Sequence, residues 1–142
     1  MQSRVLTVCV ALGLSIAVCP VIAHHAFSAE FDGNQPVTLR GIVTKVEWVN
    51  PHAWIFIDVK GPGGQIVNWG IEAGAPNALI RRGWRRESLP IGMQIVVDGY
   101  RAKSGKNLAN GRDITLPDGT VLFAGSSGTG APYDSNSREQ QK

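Results

Sequence analysis

Histidine is the residue type in this chain best suited to chemistry, and its three copies are His24, His25 and His52. An apolar run followed by the small residue Ala23 predicts proteolytic cleavage after Ala23, which would make His24 the new amino terminus. The α-amine and imidazole of His24 can close a chelate ring on one metal ion, and His52 or His25 would add further nitrogen ligands. Nitrogen ligands of this kind favour Cu(II). The sequence therefore predicts a transition-metal site at these three residues, with copper as the preferred ion.

Simpler interpretations of the histidines remain open. Adjacent histidines at a new terminus can be solvated, and His52 can cap a turn after Pro51. If a metal binds, an acidic side chain could add an oxygen ligand or orient an imidazole. The candidates for that role are Glu30, Asp32 and Glu72.

Residues 1–23 have the organisation of a secretory signal peptide. Arg4 gives a basic start, the segment from Val5 to Val18 is apolar, and Ala23 is the small residue at the cut. An uncleaved anchor is the alternative, but this run is shorter than the roughly 20 apolar residues that a bilayer requires. Residues 16–19 are only weakly similar to a lipoprotein site. We therefore expect a periplasmic protein with no transmembrane segment after cleavage.

Cleavage would also remove Cys9 and Cys19, the two cysteines of the chain. The mature protein would then have neither disulfide nor thiol chemistry. Loss of Arg4 lowers the formal net charge from +3 to +2, because 13 basic side chains face 11 acidic ones. This small charge, together with export, argues against a nucleic-acid partner.

A second group of residues combines aromatic rings with arginines. Aromatic rings outside a small domain can stack on a flat ligand or receive a partner protein, and arginines bind phosphate or carboxylate. The alternatives are core filling, favoured for Trp48 and Trp69, and a solvated helix end for the arginines. The candidates for binding an anionic small molecule or a periplasmic partner protein are Trp54, Phe56, Arg81, Arg82, Trp84, Arg85 and Arg86.

Common catalytic motifs are absent from the sequence. It has no Gly-x-Ser-x-Gly, no Gly-x-x-x-x-Gly-Lys and no His-Glu-x-x-His. We therefore predict that the protein is not an enzyme.

Alternating apolar residues predict the strands that position these groups. Residues 37–50 form a first strand that changes face at Gly41, and residues 54–60 form a second strand after the loop that holds His52. A third strand covers 66–72, and a short helix follows Pro76 and ends at Gly83, with Leu79 and Ile80 closing one end of the core. Residues 93–100 form a fourth strand, 101–111 a loop, and a hairpin with its turn at 117–119 completes the domain.

The order of strand, strand, strand, helix, strand and strand predicts an all-β fold with one short helix. We expect a five-stranded OB-like barrel over residues 37–125, and an open sandwich is the alternative. Residues 24–36 form an N-terminal arm whose two phenylalanines, Phe27 and Phe31, are expected to pack on the domain. Residues 126–142 are polar and rich in glycine and serine, which predicts a disordered tail.

Four segments carry a family resemblance: HHAFSAEFD, VEWVNPHAWIFIDV, APNALIRRGW and GYRAKSGKNLANGRDITLPDG. Together they resemble a family of small exported bacterial proteins of unknown function, whose mature chains begin with His-His and share an NPHAW-type loop. The resemblance implies export and a single domain, but it implies no reaction.

Overall fold

The computed structural model describes residues 27–126 and 129–133 of the 142-residue chain. His24, His25 and the predicted signal peptide lie outside the described residues. Within them the fold is mostly β, as predicted, with two short helices. The elements are α1 (Phe27–Glu30), β1 (Phe31–Glu47), β2 (Trp54–Lys60), β3 (Ile66–Glu72), α2 (Pro76–Arg81), β4 (Gln94–Ala102), β5 (Leu108–Thr115) and β6 (Val121–Phe123).

The six strands form one sheet in the order β3-β2-β1-β4-β5-β6, with antiparallel neighbours. In addition β3 pairs in parallel with β5, from Gly70 opposite Leu108 to Glu72 opposite Asn110. This extra pairing makes β1 to β5 a partial ring around a shared interior. In the part of the chain covered by 27–126 and 129–133, no helix has the length and hydropathy needed to cross a bilayer.

Strand β1 changes face, but not at the predicted residue. Val43 pairs with Ile57 and Lys45 pairs with Phe56, so Thr44 is the extra residue of a β-bulge. Val43 is 1% exposed and Ile42 is 49% exposed, so the odd-numbered residues still face the core after Gly41, and the prediction that the strand changes face at Gly41 is wrong. Gly41 has a different role, because a Cβ there would lie 2.8 Å from the carbonyl oxygen of Asp58. The glycine allows β1 and β2 to approach closely, and the bulge reverses the faces.

The interior of the partial ring is filled by branched aliphatic side chains. The largest of these come from β2, β3, β4 and β5, and they are Ile55, Ile57, Ile71, Ile95, Val97 and Ile114. Helix α2 adds Leu79, as predicted, but Ile80 is 47% exposed and does not close the core. The helix begins after Ala75 without a side-chain cap, and Gly83 at φ 92° lies two residues beyond its last residue.

A second apolar cluster lies outside the ring. Phe27 and Phe31 are buried there, which confirms that the N-terminal arm packs on the domain. Tyr100 contributes from β4, and Ala131 and Tyr133 come from the segment predicted to be a disordered tail. Ala131 and Tyr133 are therefore packed against the domain, because Tyr133 supplies the ring area that the other tail residues lack. Residues 134–142 lie outside the described residues.

Strand β5 begins earlier than predicted, because residues 108–111 pair with β3 and β4 instead of forming a loop. Asn110 and Gly111 resemble a turn, yet both are buried. A Cβ on Gly111 would lie 2.9 Å from Cγ2 of Ile71, and a Cβ on Gly99 would lie 2.1 Å from the carbonyl oxygen of Asn110. The glycines thus permit tight strand packing, whereas the sequence alone indicated a flexible loop.

Candidate functional site

His52 lies between β1 and β2, after a cis Asn50–Pro51 bond. The next residue fixes its position, because the Ala53 amide donates to the Gly74 carbonyl at 3.0 Å and the Ala53 carbonyl accepts from the Ala73 amide at 2.8 Å. These bonds hold His52 beside the end of β3. Its side chain, 16% exposed, places Nδ1 3.3 Å from Oε1 of Glu72, which is 10% exposed. Of the three acidic candidates, Glu72 is the one that the structure brings to His52.

Glu72 continues a chain of hydrogen bonds into the domain. Nδ2 of Asn110 donates to the same Oε1 at 3.2 Å, and the hydroxyl of Tyr133 donates to Oδ1 of Asn110 at 2.7 Å. The Tyr133 oxygen in turn accepts from the Ser126 amide at 3.3 Å. His52 is therefore connected to the C-terminal segment through buried polar groups. Buried polar groups are hydrogen-bonded in this way because an unmade bond is costly.

A cleft of ≈ 330 Å³ opens beside the imidazole of His52. Its walls carry basic groups, hydroxyls and small apolar residues, and no acidic residue lines it in the described part of the chain. Ser126 has a buried hydroxyl that makes no hydrogen bond among the residues that the structure describes. The lining residues are Pro51, His52, Ala75, Ala78, Arg81, Arg82, Ser126 and Thr129.

The four arginines of the predicted cluster fall into two environments. Arg81 and Arg82 line the cleft, and Nη1 of Arg82 donates to the Gly125 carbonyl at 2.5 Å while its guanidinium lies 4.9 Å from the Phe123 ring. Arg85 and Arg86 are exposed and do not line the cleft. The guanidinium of Arg86 instead lies 5.6 Å from the ring of Trp48. The cluster is therefore not a single binding surface.

The aromatic residues predicted to bind a ligand also lie in two different environments. Trp54 and Phe56 are half-buried on the outer face of β2, with ring centroids 6.5 Å apart and planes at 25°. Both rings lie over Gly70, where a Cβ would be 3.5 Å from Phe56 and 3.7 Å from Trp54. Trp84 is 2% exposed, and its Nε1 donates to the Phe123 carbonyl at 3.0 Å. The ring of Trp84 therefore belongs to the core, not to a ligand surface.

The N-terminal arm enters the domain next to this cleft. The amide of Phe27 donates to the carbonyl of Thr129 at 2.9 Å, and Thr129 lines the cleft together with His52. His24 and His25, the other predicted metal ligands, precede Phe27 in the chain and lie outside the described residues. Among residues 27–126 and 129–133, no three His, Cys, Asp or Glu side chains are grouped closely enough to hold a metal.

Asn110, Ser126 and Tyr133 lie at this site although no pattern in the sequence predicted a role for them. Asn110 and Ser126 lie in segments whose composition indicates loops, so no local pattern distinguishes them. The sequence did contain an indication that Tyr133 is buried, because it is the one aromatic residue after Phe123 in a segment otherwise made of small and polar residues. An isolated large ring in such a segment indicates packing against a domain.

Comparison with known proteins gives a family but no activity. No curated protein matches the chain. A family model described as a family of unknown function, DUF6152, matches residues 12–111. The match covers most of the chain and confirms the resemblance to a family of unknown function. The chain therefore belongs to the DUF6152 family.

Proposed function

We propose that this protein is an exported periplasmic binding protein, not an enzyme, that holds a transition metal beside His52. The favoured ion is Cu(II), and the proposed ligands are the amine and imidazole of His24 with His52 and, as a further ligand, His25. We also propose that the domain is an OB-like barrel. The pairing of β3 with β5 and the position of α2 between β3 and β4 support that assignment.

The observation that carries the metal proposal is the hydrogen bond between the Phe27 amide and the Thr129 carbonyl. It anchors the arm at the cleft that His52 lines. His25 and His24 precede Phe27 by two and three residues, and an extended chain spans about 3.3–3.6 Å per residue. The two histidines are thus tethered within about 7 and 11 Å of Phe27 along the chain. Phe27 is bonded to Thr129, which lines the same cleft as His52.

The pair between His52 and Glu72 supports the same proposal. A carboxylate that accepts the Nδ1–H of an imidazole fixes the orientation of the ring and makes Nε2 a better ligand. The carboxylate also supplies negative charge next to a cation. Glu72 is itself held by Asn110, so the imidazole is supported by a fixed partner.

A copper titration of two proteins that differ only at the amino terminus tests the proposal. One protein begins at His24, and the other carries three extra glycines before His24, which places both histidines beyond the third residue and so removes the chelate rings between the terminal amine and a nearby imidazole. We expect the extended protein to bind Cu(II) at least about tenfold more weakly. Equal affinities would rule out the terminal chelate. His52→Gln, tested beside them, should weaken binding in the native-terminus protein.

The aromatic pair Trp54 and Phe56 supports a second candidate function, a binding module for a partner protein or a flat anionic ligand. The two rings form a half-exposed, stacked surface, and the Lys45 ammonium lies 5.5 Å from the Phe56 ring. In a pull-down from periplasmic extract, combined Trp54→Ala and Phe56→Ala should abolish capture of a partner, while His24→Ala leaves it intact. Failure to recover any partner with the unmodified protein would remove the support for this candidate.

A further inference from the structure

We propose that the outer face of β2 binds a neutral oligosaccharide, in which sugar rings pack against Trp54 and Phe56 while Asp58 and Asn68 accept hydrogen bonds from sugar hydroxyls. This surface is also that of the second candidate function, on which the assignment of a ligand class rests. Neither copper nor the cleft beside His52 takes part in it.

The rings of Trp54 and Phe56 lie over a glycine of the neighbouring strand. Phe56 pairs with Gly70 of β3. A Cβ on Gly70 would lie 3.5 Å from Cε1 of Phe56, 3.7 Å from Cε3 of Trp54 and 2.8 Å from Cδ2 of Leu108. The three side chains thus meet over the glycine, and the two rings, whose planes differ by 25°, remain half-exposed. Rings that are already packed lose little conformational entropy when a ligand binds to them.

Polar groups with free acceptor atoms continue this face along β2 and β3. Asp58 follows Phe56 by two residues, so it points to the same side of the strand, and Asn68 is its partner on β3. Nδ2 of Asn68 donates to Oδ1 of Asp58 at 2.8 Å and to the Thr44 hydroxyl at 3.2 Å. Within residues 27–126 and 129–133, Oδ2 of Asp58 and Oδ1 of Asn68 accept no hydrogen bond. Two acceptors are therefore available beside the rings, and hydroxyl groups can donate to both.

The charges around the rings favour a neutral ligand. Lys45 and Glu47 lie opposite the two rings on β1, and their side chains form an ion pair. Farther along the same face of β2, Asp58 and Lys60 add one charge of each sign. Glu72 of β3 is only 10% exposed and is directed to the imidazole beside the cleft. The two cations and two carboxylates of the exposed face cancel, so this face has no excess charge that would attract an ion.

A sugar matches each of these features. Its ring has an apolar face of C–H groups that can pack on an aromatic ring, and its hydroxyls donate and accept hydrogen bonds. A purely apolar ligand would instead remove the Asp58 carboxylate from water without giving it a new partner, which is costly. A stable protein partner buries about 800 Å² on each side. The apolar area here consists of two half-exposed rings that charged side chains border, which suits a small uncharged ligand better.

Calorimetric titration with three neutral hexasaccharides tests the proposal: the β-linked hexamers of glucose and of N-acetylglucosamine, and an α-linked hexamer of glucose. We expect at least one of them to bind with a Kd below about 1 mM and to shift the indole N–H signal of Trp54 in NMR spectra. Trp54→Ala and Phe56→Ala should each weaken that binding at least about fivefold. Asp58→Ala should weaken it about threefold. Val121→Ala, at an exposed apolar residue of β6, is the matched control and should leave it unchanged.

Two results would overturn the proposal. One is the absence of both heat and a Trp54 shift with every hexamer at about 10 mM. The other is equal binding by Trp54→Ala, Phe56→Ala and Val121→Ala. An unchanged thermal transition in Trp54→Ala excludes unfolding as the cause of lost binding, and Trp54→Leu, which keeps an apolar side chain but removes the ring, replaces any alanine variant that does not fold.

Failure of this ligand assignment can be distinguished from failure of the other proposals. If no hexamer binds but a protein is captured through the same two rings, the second candidate function stands and the sugar assignment is wrong. If a hexamer binds and no protein is captured, the sugar assignment stands alone. The protein with three extra glycines before His24 should bind the hexamer normally, so loss of the copper site would leave this surface unaffected.

Discussion

Nδ1 of His52 lies 3.3 Å from Oε1 of Glu72, and the same oxygen accepts from Nδ2 of Asn110 at 3.2 Å. One carboxylate oxygen therefore joins the loop after β1 to the middle of β5. Among the residues that the structure describes, His52 is the only histidine. The orientation of its ring depends on a residue of strand β3.

The first prediction concerns Glu72 as the partner that orients His52. Glu72→Gln keeps the shape of the side chain and an oxygen acceptor but removes the charge. We expect this substitution to weaken Cu(II) binding about tenfold, the loss typical of removing a carboxylate behind a metal-binding imidazole. Copper titration of the protein with a native His24 terminus measures it. Glu30→Gln, an exposed carboxylate on α1, is the control, and equal losses in both variants would contradict a specific role for Glu72.

The second prediction concerns Tyr133 in the C-terminal segment. Tyr133→Phe keeps the ring but removes the hydroxyl that donates to Asn110 and accepts from the Ser126 amide. Because both partners are buried, we expect the free energy of unfolding to fall by about 1–3 kcal/mol. Urea denaturation measures the loss. Ser104→Ala, at an exposed loop hydroxyl, should change it by less than about 0.5 kcal/mol. An unchanged midpoint in Tyr133→Phe would show that these two hydrogen bonds contribute nothing to stability.

The sequence was most informative where alternation is regular. Strands β2 and β3 have the predicted bounds, because Ile55, Ile57 and Ile71 alternate with half-exposed or polar residues and turn residues separate the strands. The sequence misled where small and polar residues are buried. The sequence at Asn110 and Gly111 indicated a loop, yet both residues belong to β5. They are buried because they pair with β3 and β4, which are not their neighbours in the chain.

The site could be predicted only in part, for the same reason. His52 was identified because histidine is rare here and its loop joins two clear strands. The sequence could place Arg81 and Arg82 on a helix end, but it could not bring them to the cleft of His52 or separate them from Arg86. Tyr133 was assigned to the tail because composition describes a segment on its own and not the surface that it packs against.

The third prediction concerns close backbone packing at Gly99. A Cβ at this position would lie 2.1 Å from the carbonyl oxygen of Asn110, and backbone atoms of a paired strand cannot move away easily. We expect Gly99→Ala to lower the free energy of unfolding by about 3 kcal/mol or more. Gly105→Ala is the comparison, because Gly105 has a φ of 75° but open space around it.

The Gly105 variant should lose only about 1 kcal/mol, the cost of a left-handed conformation for a residue with a Cβ. Denaturation curves of both variants measure the difference. If Gly105→Ala were the more damaging change, backbone conformation rather than strand packing would limit stability in this part of the domain.

The fourth prediction concerns pH and the turn between β5 and β6. The Thr120 amide donates to Oδ1 of Asp118 at 2.9 Å, and this bond, followed by a contribution from the Thr120 side chain, lowers the pKa of Asp118 below its ordinary value of 3.8. A carboxyl whose pKa is lowered by folding adds stability above its unfolded pKa. That stability disappears as the pH falls through the folded pKa.

NMR titration of the Asp118 carboxyl carbon should therefore give a midpoint below 3.8. Asp118→Asn should remove this contribution to the pH dependence of unfolding while keeping an oxygen acceptor for the Thr120 amide. A midpoint at or above the ordinary value would mean that the hydrogen bond does not persist in solution.

The last prediction distinguishes the two tryptophans that the sequence placed in one binding surface. Trp84 is buried and its Nε1 donates to the Phe123 carbonyl, so Trp84→Phe removes a hydrogen bond and part of the ring from the core. We expect the free energy of unfolding to fall by about 2–3 kcal/mol, whereas Trp54→Phe on the half-exposed face should cost less than about 1 kcal/mol. At temperatures where Trp84→Phe remains folded, its Cu(II) affinity should equal that of the unmodified protein. A residue that acts only through packing changes binding only when it changes folding. Weaker Cu(II) binding by Trp84→Phe without any loss of stability would therefore show that the Trp84 ring contacts the ligand.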